Sequence, residues 1–512
     1  MRPSLVIAVL VLVLGGLLGT GIGRADPVQP AFQQVDMPAH VYDGGWEHFV
    51  GGGVASFDCN GDDLPELYAA GGANAAALFR NRSEGGVSFV AETPEPLALT
   101  GVTGAYPLDI DGDGILDLVI LRVGPDRLMR GLPDCDFRPF EDDLGFVSHD
   151  RWTTAFSATW EAGNSLPTLA FGTYVDRRDP DGPFEACDAT LLYRPEGGRY
   201  GAAKMLRPGH CALSMLFSDW NRNGRADLRV SNDRHYYVRG GQEQLWKMEA
   251  VPRLYSEDEG WRHYALWGMG IASRDVTGDG YPEVYLTSMG DQKFQVFDPD
   301  TGGPTWRDAT YDRGTTAHRP HIGSDGRPST GWHAAFGDVD NDGRDDIFVA
   351  KGNVEQMPVA AMEDPNSLLQ QQADGSFAEV SVAAGVASVA RSRGAALADF
   401  DNDGRLDLAV VNRRAEMEVH ANVTPGGNWL SVDVAQSPPN PQAVGAFLEL
   451  RAGGRRHIRE ITVGGGHAGG SAGPQHFGLG VAGTADLRVI WPDGTVSPWQ
   501  KVSANRRISL SR

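Results

Sequence analysis

Short apolar runs separated by glycine-rich turns are the main pattern along the chain after its first 25 residues. Residues 51–93 hold four such runs, GGGVASFD, LPELYAAGG, AALFRNR and VSFVAET. Apolar and β-branched residues in short runs bounded by turn residues are typical of strands, and long helical periodicity is absent. The pattern predicts an all-β fold built from four-stranded units.

An acidic loop lies between the first and second runs of most units. In DIDGDGILDL, Asp109, Asp111, Asp113 and Asp117 occupy the first, third, fifth and ninth positions. Carboxylate oxygens at this spacing can converge on a hard cation, for which Ca²⁺ is the natural candidate. The twelfth position holds Ile120 where an EF-hand has glutamate, and the loop continues into a strand signal rather than a helix. The loop is therefore not an EF-hand.

The same pattern occurs six times, whereas a single copy could be an acidic surface turn. The predicted metal ligands are Asp58, Asn60, Asp62 and Glu66; Asp109, Asp111, Asp113 and Asp117; Asp219, Asn221, Asn223 and Asp227; Asp275, Thr277, Asp279 and Glu283; Asp338, Asp340, Asp342 and Asp346; Asp399, Asp401, Asp403 and Asp407. The loops starting at 109, 338 and 399 have four carboxylates each, and the loop at 219 has only two. We expect the loop at 219 to bind most weakly.

The spacing of the loops indicates a seventh, hidden repeat. Loops start at 58, 109, 219, 275, 338 and 399, so one interval is about twice the others. In that gap TWEAGNSLPTLAFGTY, residues 159–174, keeps the strand signal but lacks the carboxylates. Seven repeats of this length predict a seven-bladed β-propeller, since a β-solenoid would have shorter and more uniform repeats. The last repeat lacks an outer strand, which AFQQVDMP at 31–38 can supply.

The innermost strand of a blade has little room at the propeller axis. Five residues before the first aspartate of each loop the chain has Gly53, Gly104, Ser214, Gly270, His333 and Gly394. Five of these six are small, which places this strand innermost. His333 is the exception.

The negative charge is largely explained by the loops. The formal net charge is −22, and six Ca²⁺ ions would bring it to −10. The chain is therefore not a candidate for nucleic-acid binding.

The first 25 residues and the cysteines bear on location. A basic start, an apolar run from Leu5 to Ile22 and a small residue at Ala25 predict a signal peptide, or alternatively an uncleaved membrane anchor. Either predicts a secreted, periplasmic or cell-surface protein with membrane contact only through the anchor. Export permits disulfides. Of the three possible pairings of four cysteines, Cys187 with Cys211 is favoured, and the pairing of Cys59 and Cys135 stays open.

The loops, D-x-[DNT]-x-[DN]-[GD]-x-x-[DE], resemble FG-GAP/VCBS repeats over about residues 31–425. Residues 428–512, with HFGLG and WPDG, resemble an ASPIC/UnbV domain, and alternating runs there predict a small β-sandwich-like domain. The whole architecture is similar to the cartilage acidic protein family. The resemblance implies that each loop joins a blade's first and second strands on one face, with a backbone carbonyl at position seven, such as that of Ile115 or Arg405, as a further ligand.

Ligand binding is expected on the opposite face, where rings, imidazoles and guanidinium groups could surround an axial pocket for a sugar, an acidic group or a protein loop. The candidate ligand-binding residues are His48, His210, Arg234, His235, Trp267, Trp332, His333, Arg393 and Arg413. Each could instead be packing or a solvated loop residue. On this hypothesis His333→Ala or Arg393→Ala abolishes binding without changing the melt. GGGHAGG at 464–470 is interpreted as a flexible hairpin, or as an anion-binding nest at His467.

These features favour an exported binding or adhesion module for a glycan or protein ligand, with up to six Ca²⁺ ions in a structural role. No nucleophile or zinc-protease motif is present, and no catalytic residue is assigned. The alternatives are a polysaccharide lyase or hydrolase that uses the histidines and arginines, and an envelope assembly scaffold.

Overall fold

The computed structural model describes residues 28–179, 186–233, 241–264, 266–290, 292–316, 329–354 and 363–512. Strands dominate this part of the chain, which confirms the all-β prediction. The helices are short, with one-turn α-helices at Glu141–Leu144, Thr310–Arg313 and Ser381–Ala384. Single 3-10 turns lie at Trp46–His48, Glu95–Leu97, Pro133–Cys135, Glu257–Glu259 and Pro299–Thr301.

The strands of the propeller fall into seven antiparallel groups of four, here called blades 1 to 7, which follow one another along the described residues. Blades 2 and 3 are joined into one larger sheet by the pairing of Arg151 with Gly124. Blade 1 comprises Val54–Phe57, Glu66–Ala69, Ala77–Asn81 and Phe89–Ala91; blade 2 Val102–Leu108, Asp117–Gly124, Arg127–Leu132 and Asp136–Pro139; blade 3 Arg151–Thr159, Thr168–Thr173, Thr190–Tyr193 and Lys204–Leu206; blade 4 Ala212–Ser218, Asp227–Asn232, Gln244–Lys247 and Arg253–Leu254. Blade 5 comprises Gly268–Arg274, Glu283–Ser288, Lys293–Phe297 and Trp306–Asp308; blade 6 Gly331–Gly337, Asp346–Lys351, Ser367–Gln371 and Phe377–Glu379; blade 7 Arg391–Ala398, Asp407–Arg413, Glu418–Asn422 and the N-terminal strand Phe32–Val35.

The blades form a closed ring. The first strand of each blade lies against the first strand of the next, and blade 7 returns to blade 1. Phe32–Val35 pairs antiparallel with Glu418–Asn422, so the N-terminal residues supply the outer strand of the last blade, as predicted. Apolar side chains such as Phe57, Phe79 and Phe400 are packed between adjacent blades. The fold is that of a β-propeller.

The C-terminal residues form two further sheets. One is Gln475–Gly480, Asn428–Ala435 and Arg506–Ser511; the other is Arg455–Glu460, Phe447–Ala452, Thr484–Ile490 and Gln500–Ser503. Leu430, Leu448, Leu487 and their neighbours give this domain an apolar core of its own. The short strand Ser471–Ala472 leaves the domain and pairs in parallel with Val54–Phe57 of blade 1.

Two disulfides are present in the structure. Cys187 is joined to Cys211, the pair that the sequence favoured, and Cys59 is joined to Cys135. The second bridge links the acidic loop of blade 1 to the outer part of blade 2.

The predicted signal peptide or anchor at residues 1–25 lies outside the described residues, as do Arg234 and His235. Within the described ranges, no helix has the length and apolar character needed to cross a membrane.

Candidate functional site

All six acidic loops connect the first and second strands of a blade and share one backbone geometry. In each, the N–H of the sixth residue donates a hydrogen bond of 2.7–2.9 Å to the carboxylate of the first aspartate. The sixth residue has a positive φ throughout, and glycine provides it in five loops. In blade 1 Asp63 adopts a φ of 70° instead. The first aspartate therefore fixes the turn.

The ninth-position carboxylate fastens each loop to its own blade. In five loops one of its oxygens accepts from the N–H of the second loop residue over 2.8–3.1 Å. In four loops the other oxygen accepts from a backbone N–H in, or just after, the third strand. Asp346, for example, accepts from Val339 and from Gln371. These carboxylates are buried within the blade rather than exposed on a surface turn.

Three loops bring their acidic groups closest together. In the loops at 109, 338 and 399, ligand oxygens of the first, third and ninth residues all lie within 4.8 Å of one another. These are the loops with four carboxylates each. Glu66 in blade 1 lies instead beside the Cys59–Cys135 disulfide, whose sulfur atoms are not thiolate ligands.

The buried carboxylates of the acidic loops repel one another when they are ionised. Burial, followed by the neighbouring Asp111 and Asp109, raises the pKa of Asp117 to about 8. Burial and the neighbouring aspartates also raise the pKa of Asp399 to about 7. Like charges at this distance disfavour ionisation unless a cation lies between them. Arginines compensate for part of this charge, since Arg130 lies 3.0 Å from Asp111 and 2.8 Å from Asp113.

Several loop oxygens are buried and lack a hydrogen-bond partner among the described residues. They include the third-position oxygens Asp111 Oδ1, Asn221 Oδ1 and Asp401 Oδ1, and also Asp342 Oδ1 and Glu66 Oε1. Unpaired buried acceptors are rare, and each requires an explanation. Clustered carboxylate and amide oxygens without donors are the ligand set of a hard divalent cation, so the residues present fit such an ion.

The C-terminal domain covers the face on which these loops lie. The loop at 338 is contacted most extensively: the carbonyls of Asp340 and Asn341 accept from the N–H groups of Gly427 and Gly480, at 3.2 and 2.8 Å. The side chain of Asn341 lies 2.7 Å from the Nε2 atom of His476. The other loops are contacted too; in blade 4, the N–H of Asp219 donates to Glu460 over 2.7 Å.

A charged contact reinforces this joint. Asp345, the eighth residue of the loop at 338, accepts from Arg459 of the C-terminal domain over 2.9 Å, and both side chains are buried. Arg459 also lies over the ring of Phe477 at 3.9 Å. The order of this acidic loop and the seating of the C-terminal domain are therefore physically coupled.

Residues 463–472, here called the axial plug, run from the C-terminal domain into the centre of the propeller. Isolated backbone bridges connect the plug to the first strands of four blades, at Ala105, Ala158, Leu216 and Ile271. The small residues of the inner strands make room for it, since a Cβ atom on Gly53 or Gly104 would lie 1.8 or 1.6 Å from the carbonyl oxygen of Ala468. The interpretation of GGGHAGG as a flexible hairpin is therefore wrong, because this segment is packed against the inner strands.

His467 is the buried centre of the plug. Its Nε2 atom accepts from the N–H of Gly51 over 3.1 Å, and its Nδ1 atom lies 3.0 Å from the carbonyl oxygen of Met269. The backbone N–H of His467 donates to Nδ1 of His333 over 3.1 Å. Burial lowers the pKa of His467 to about 3 and that of His333 to about 4. Both imidazoles are therefore neutral and held in fixed tautomers.

The structure does not place the predicted ligand-binding side chains around an open axial pocket. Trp332, His333, Arg393 and Arg413 are almost completely buried, and His48 and His210 are also buried. Trp332 lies against His467, and Arg393 lies over the Trp332 ring at 4.1 Å while donating to Phe49 O and Gly352 O. Among the candidates that the structure describes, only Trp267 is half-buried. The expectation of an open pocket is wrong because the plug occupies the axis.

Sequence reasoning missed the plug and its effect on these residues. The signal was present in two places, as small residues at the inner strands and as a glycine-rich segment in the C-terminal domain. The folded chain shows how the two features are connected. The glycines of the inner strands carry no side chain at the places where the backbone carbonyl of Ala468 lies.

These observations define a class of protein. It is a β-propeller in which acidic loops join the first and second strands of the blades, and a small β domain covers the face on which those loops lie. Residues 58–120, 275–349 and 359–410 match the family model described as FG-GAP-like repeat, and residues 436–512 match that of ASPIC and UnbV. The chain thus contains FG-GAP-like repeats and a C-terminal ASPIC and UnbV domain.

Among characterised proteins, the chain is similar to cartilage acidic protein 1. It is 34% identical to the Xenopus tropicalis protein over 114 residues, which are 21% of this chain and 17% of that protein. It is 26% identical to the Mus musculus protein over 185 residues, 34% of this chain and 26% of that protein. The chain thus matches about a quarter or less of the length of these relatives.

Solved structures with some similarity include BBS1N in complex with ARL6DN, with a TM-score of 0.45 and 11% identity over 77% of this chain and 98% of that one. The WD40 domain of Toxoplasma gondii coronin has a TM-score of 0.41 and 12% identity over 78% of this chain and 88% of that one.

Proposed function

We propose that this protein is an exported binding module for a glycan or protein ligand, in which Ca²⁺ ions in the acidic loops have a structural role. The observation that carries the proposal is the position of the loops. They lie between the first and second strands, and the C-terminal domain is seated on them through contacts such as Asn341 with His476. A cation there would stabilise both the blades and the joint between the domains.

The donor chemistry supports Ca²⁺ in particular. The loops offer oxygen ligands only, in irregular numbers of carboxylates and amides, and Ca²⁺ accepts such variable oxygen sets more readily than Mg²⁺ does. When bound, the ion would supply positive charge between carboxylates that otherwise repel one another. The protein's contribution is to hold those carboxylates by the backbone hydrogen bonds described above.

A binding role is favoured over catalysis by the state of the axial histidines. A general base must reach its substrate, whereas His333 and His467 are buried and bonded to each other and to the backbone. Of the candidate histidines and arginines within the described residues, His48, His210, His333, Arg393 and Arg413 are all buried. The relatives that match are consistent with a module that binds rather than reacts.

Export is part of this proposal. It rests on the N-terminal sequence, and the two disulfides support it because disulfides persist mainly in oxidising compartments.

Thermal unfolding of residues 28–512 in excess Ca²⁺, excess Mg²⁺ and EGTA tests the calcium role. We expect Ca²⁺ to raise the melting temperature by several degrees over EGTA, and Mg²⁺ to do so less. Asp401→Asn should reduce the shift, because Asp401 lies in a clustered loop. Asp312→Asn should leave it intact, because Asp312 is exposed outside the loops. Equal melts in Ca²⁺ and EGTA would refute the calcium role.

A screen of the calcium-loaded chain against polysaccharides, glycans and extracellular proteins tests the binding role, with the same incubations assayed for new reducing or unsaturated ends. Retention without products is expected. Products would establish an enzyme instead, and a screen without any binding would contradict the module.

A further inference from the structure

A cavity of about 500 Å³ lies between the propeller and the C-terminal domain. Its walls are the first strands of blades 5, 6, 7 and 1, and the glycines of the axial plug form another side. Exposed residues at its border, Asp63, Asn402 and Gly473, mark an opening to solvent. The volume falls in the range of about 300–1,000 Å³ typical of small-molecule sites.

Two arginines from different domains border this cavity and share one carboxylate. Arg459 Nη2 lies 2.9 Å from Asp345 Oδ1, and Arg274 Nε lies 3.9 Å from Asp345 Oδ2. Neither Nε atom has a hydrogen-bond acceptor within the described part of the chain. Two guanidinium groups share this single carboxylate, and the side chain of Arg274 keeps 18% of its surface accessible. This corner of the cavity therefore suits an anionic group.

The other four carboxylates at the cavity border, Asp58, Asp63, Asp399 and Glu460, already accept hydrogen bonds or pair with an arginine. Glu460 accepts from the hydroxyl of Ser218 and the N–H of Asp219. Asp399 accepts from backbone N–H groups of its own loop. A third arginine, Arg507, is paired with Asp433 and Asp63. Arg274 and Arg459 are thus the cationic pair with capacity left for an incoming carboxylate.

The rest of the lining is suited to a polyhydroxylated ring. The polar residues Ser56, Ser273, Ser431 and Gln475 line the cavity. The half-buried indole of Trp429 also lies there, nearly parallel to the His476 ring with an interplanar angle of 17°. Hydroxyl groups can exchange hydrogen bonds with a sugar, and an indole packs against its apolar face.

We infer that this cavity binds a carboxylate-bearing sugar of the hexuronate class, with its carboxylate at Arg274 and Arg459 and its ring near Trp429. The inference deepens the binding role proposed above and rests on it. A free hexuronate and the end of an acidic polysaccharide offer the same chemistry, so both belong in the test.

Titration calorimetry on calcium-loaded residues 28–512 provides that test, with glucuronate, galacturonate, a galacturonate oligosaccharide, glucose and galactose as ligands. We expect a hexuronate or its oligosaccharide to bind at least about tenfold more tightly than the neutral sugars, because a charge-assisted hydrogen bond is at stake. Tighter binding of the oligosaccharide than of the monosaccharides would identify the polysaccharide as the source.

Two cavity variants and one matched control make the result specific. Arg274→Gln removes the charge, and Ala335→Phe places a ring in the cavity from a half-buried position on blade 6. Each should weaken binding by about tenfold or more. Arg307→Gln should bind normally, because Arg307 is exposed on the outer strand of blade 5. Thermal melts check that each variant is folded. If Ala335→Phe is not folded, the test rests on Arg274→Gln alone.

Equal affinity for charged and neutral sugars, no hexuronate binding, or unchanged affinity in Arg274→Gln would overturn the inference. The outcome separates it from the broader proposal. A ligand found in the screen that binds the cavity variants normally would leave the binding module standing and remove this site. Hexuronate binding with identical melts in Ca²⁺ and EGTA would retain the site and remove the structural role of calcium.

Discussion

At the scale of single residues, His467 links parts of the chain that are far apart in sequence. Its hydrogen bonds reach Gly51 at the start of the propeller, Met269 in blade 5 and His333 in blade 6. The residue comes from the C-terminal domain, so each of these bonds crosses between domains. Two of the residues expected to bind a ligand, Trp332 and His333, instead contact this histidine.

His467→Ala is therefore expected to destabilise the protein. The substitution removes two buried side-chain hydrogen bonds and leaves a cavity, so we expect a loss of about 2–4 kcal/mol in the free energy of unfolding. His333→Ala should also lower the melt, contrary to the expectation from sequence. Denaturant unfolding measures both. His263→Ala is the control, because His263 is exposed, and a wild-type midpoint for His467→Ala would contradict the role of the plug.

The pKa shifts of the loop carboxylates predict how calcium stabilisation depends on pH. Burial raises the pKa of Asp117 to about 8 and of Asp399 to about 7 in the metal-free fold, against about 4 for an unfolded aspartate. As pH falls from about 8 to about 5, the metal-free folded state gains protons that the unfolded state lacks, so its stability rises. The cation-loaded folded state gains no protons at these carboxylates, because the cation occupies their oxygens.

The melting-temperature difference between Ca²⁺ and EGTA should therefore shrink as pH falls through this window. Because the buried histidines are the same in both forms, their titration cancels in the difference. Melts at about pH 8 and about pH 5 measure it. A difference that is constant or grows on acidification would show that protons and the cation do not compete for these oxygens.

At the scale of elements, Phe32–Val35 closes the ring by pairing with Glu418–Asn422. Phe32 is buried, whereas Gln33 and Gln34 are exposed. The strand can be recognised in the sequence because the last repeat is one strand short. This strand covers the edge of Glu418–Asn422, which would otherwise be unpaired, so it protects that edge from pairing with other chains.

Removal of that strand should open the edge. A chain of residues 38–512 is expected to melt several degrees below one of residues 28–512 and to form aggregates on size exclusion, since burial of Phe32 and four pairing residues are lost. A peptide of residues 28–38 added in trans should restore part of the melt. Gln34→Ala should change nothing. If 38–512 melts like 28–512, the strand does not close the ring.

The elements also show what the sequence could and could not predict. Repeats with period-two strands and an acidic turn are local patterns, and they predict the blades, the positions of the acidic loops and the blade at 159–174 that lacks such a loop. The axial plug depends on contacts between residues more than 350 positions apart, such as Gly104 with Ala468. No local period connects the small residues of the inner strands with the glycine-rich segment, so their contact at the axis is seen only in the folded chain.

At the scale of the whole molecule, the propeller and the C-terminal domain are joined in three ways. The plug occupies the axis, the strand Ser471–Ala472 pairs with blade 1, and the acidic loops contact the domain directly. Because the acidic loops contact the C-terminal domain, a ligand that orders the loops also stabilises the interface between the propeller and that domain. In this account the cation stabilises the arrangement of the two domains as well as each blade.

Hydrogen–deuterium exchange on residues 28–512 in Ca²⁺ and in EGTA measures whether the cation orders the joint between the two domains. Chelation should speed exchange in the loop at 338–346 and, to a similar degree, in the segments at 426–430 and 476–480, because Gly427 and Gly480 donate to carbonyls of that loop. Peptides from the outer strands of blade 3, which has no acidic loop, serve as the internal reference. Faster exchange in the loop alone, with the C-terminal segments unchanged, would contradict a joint that depends on the cation.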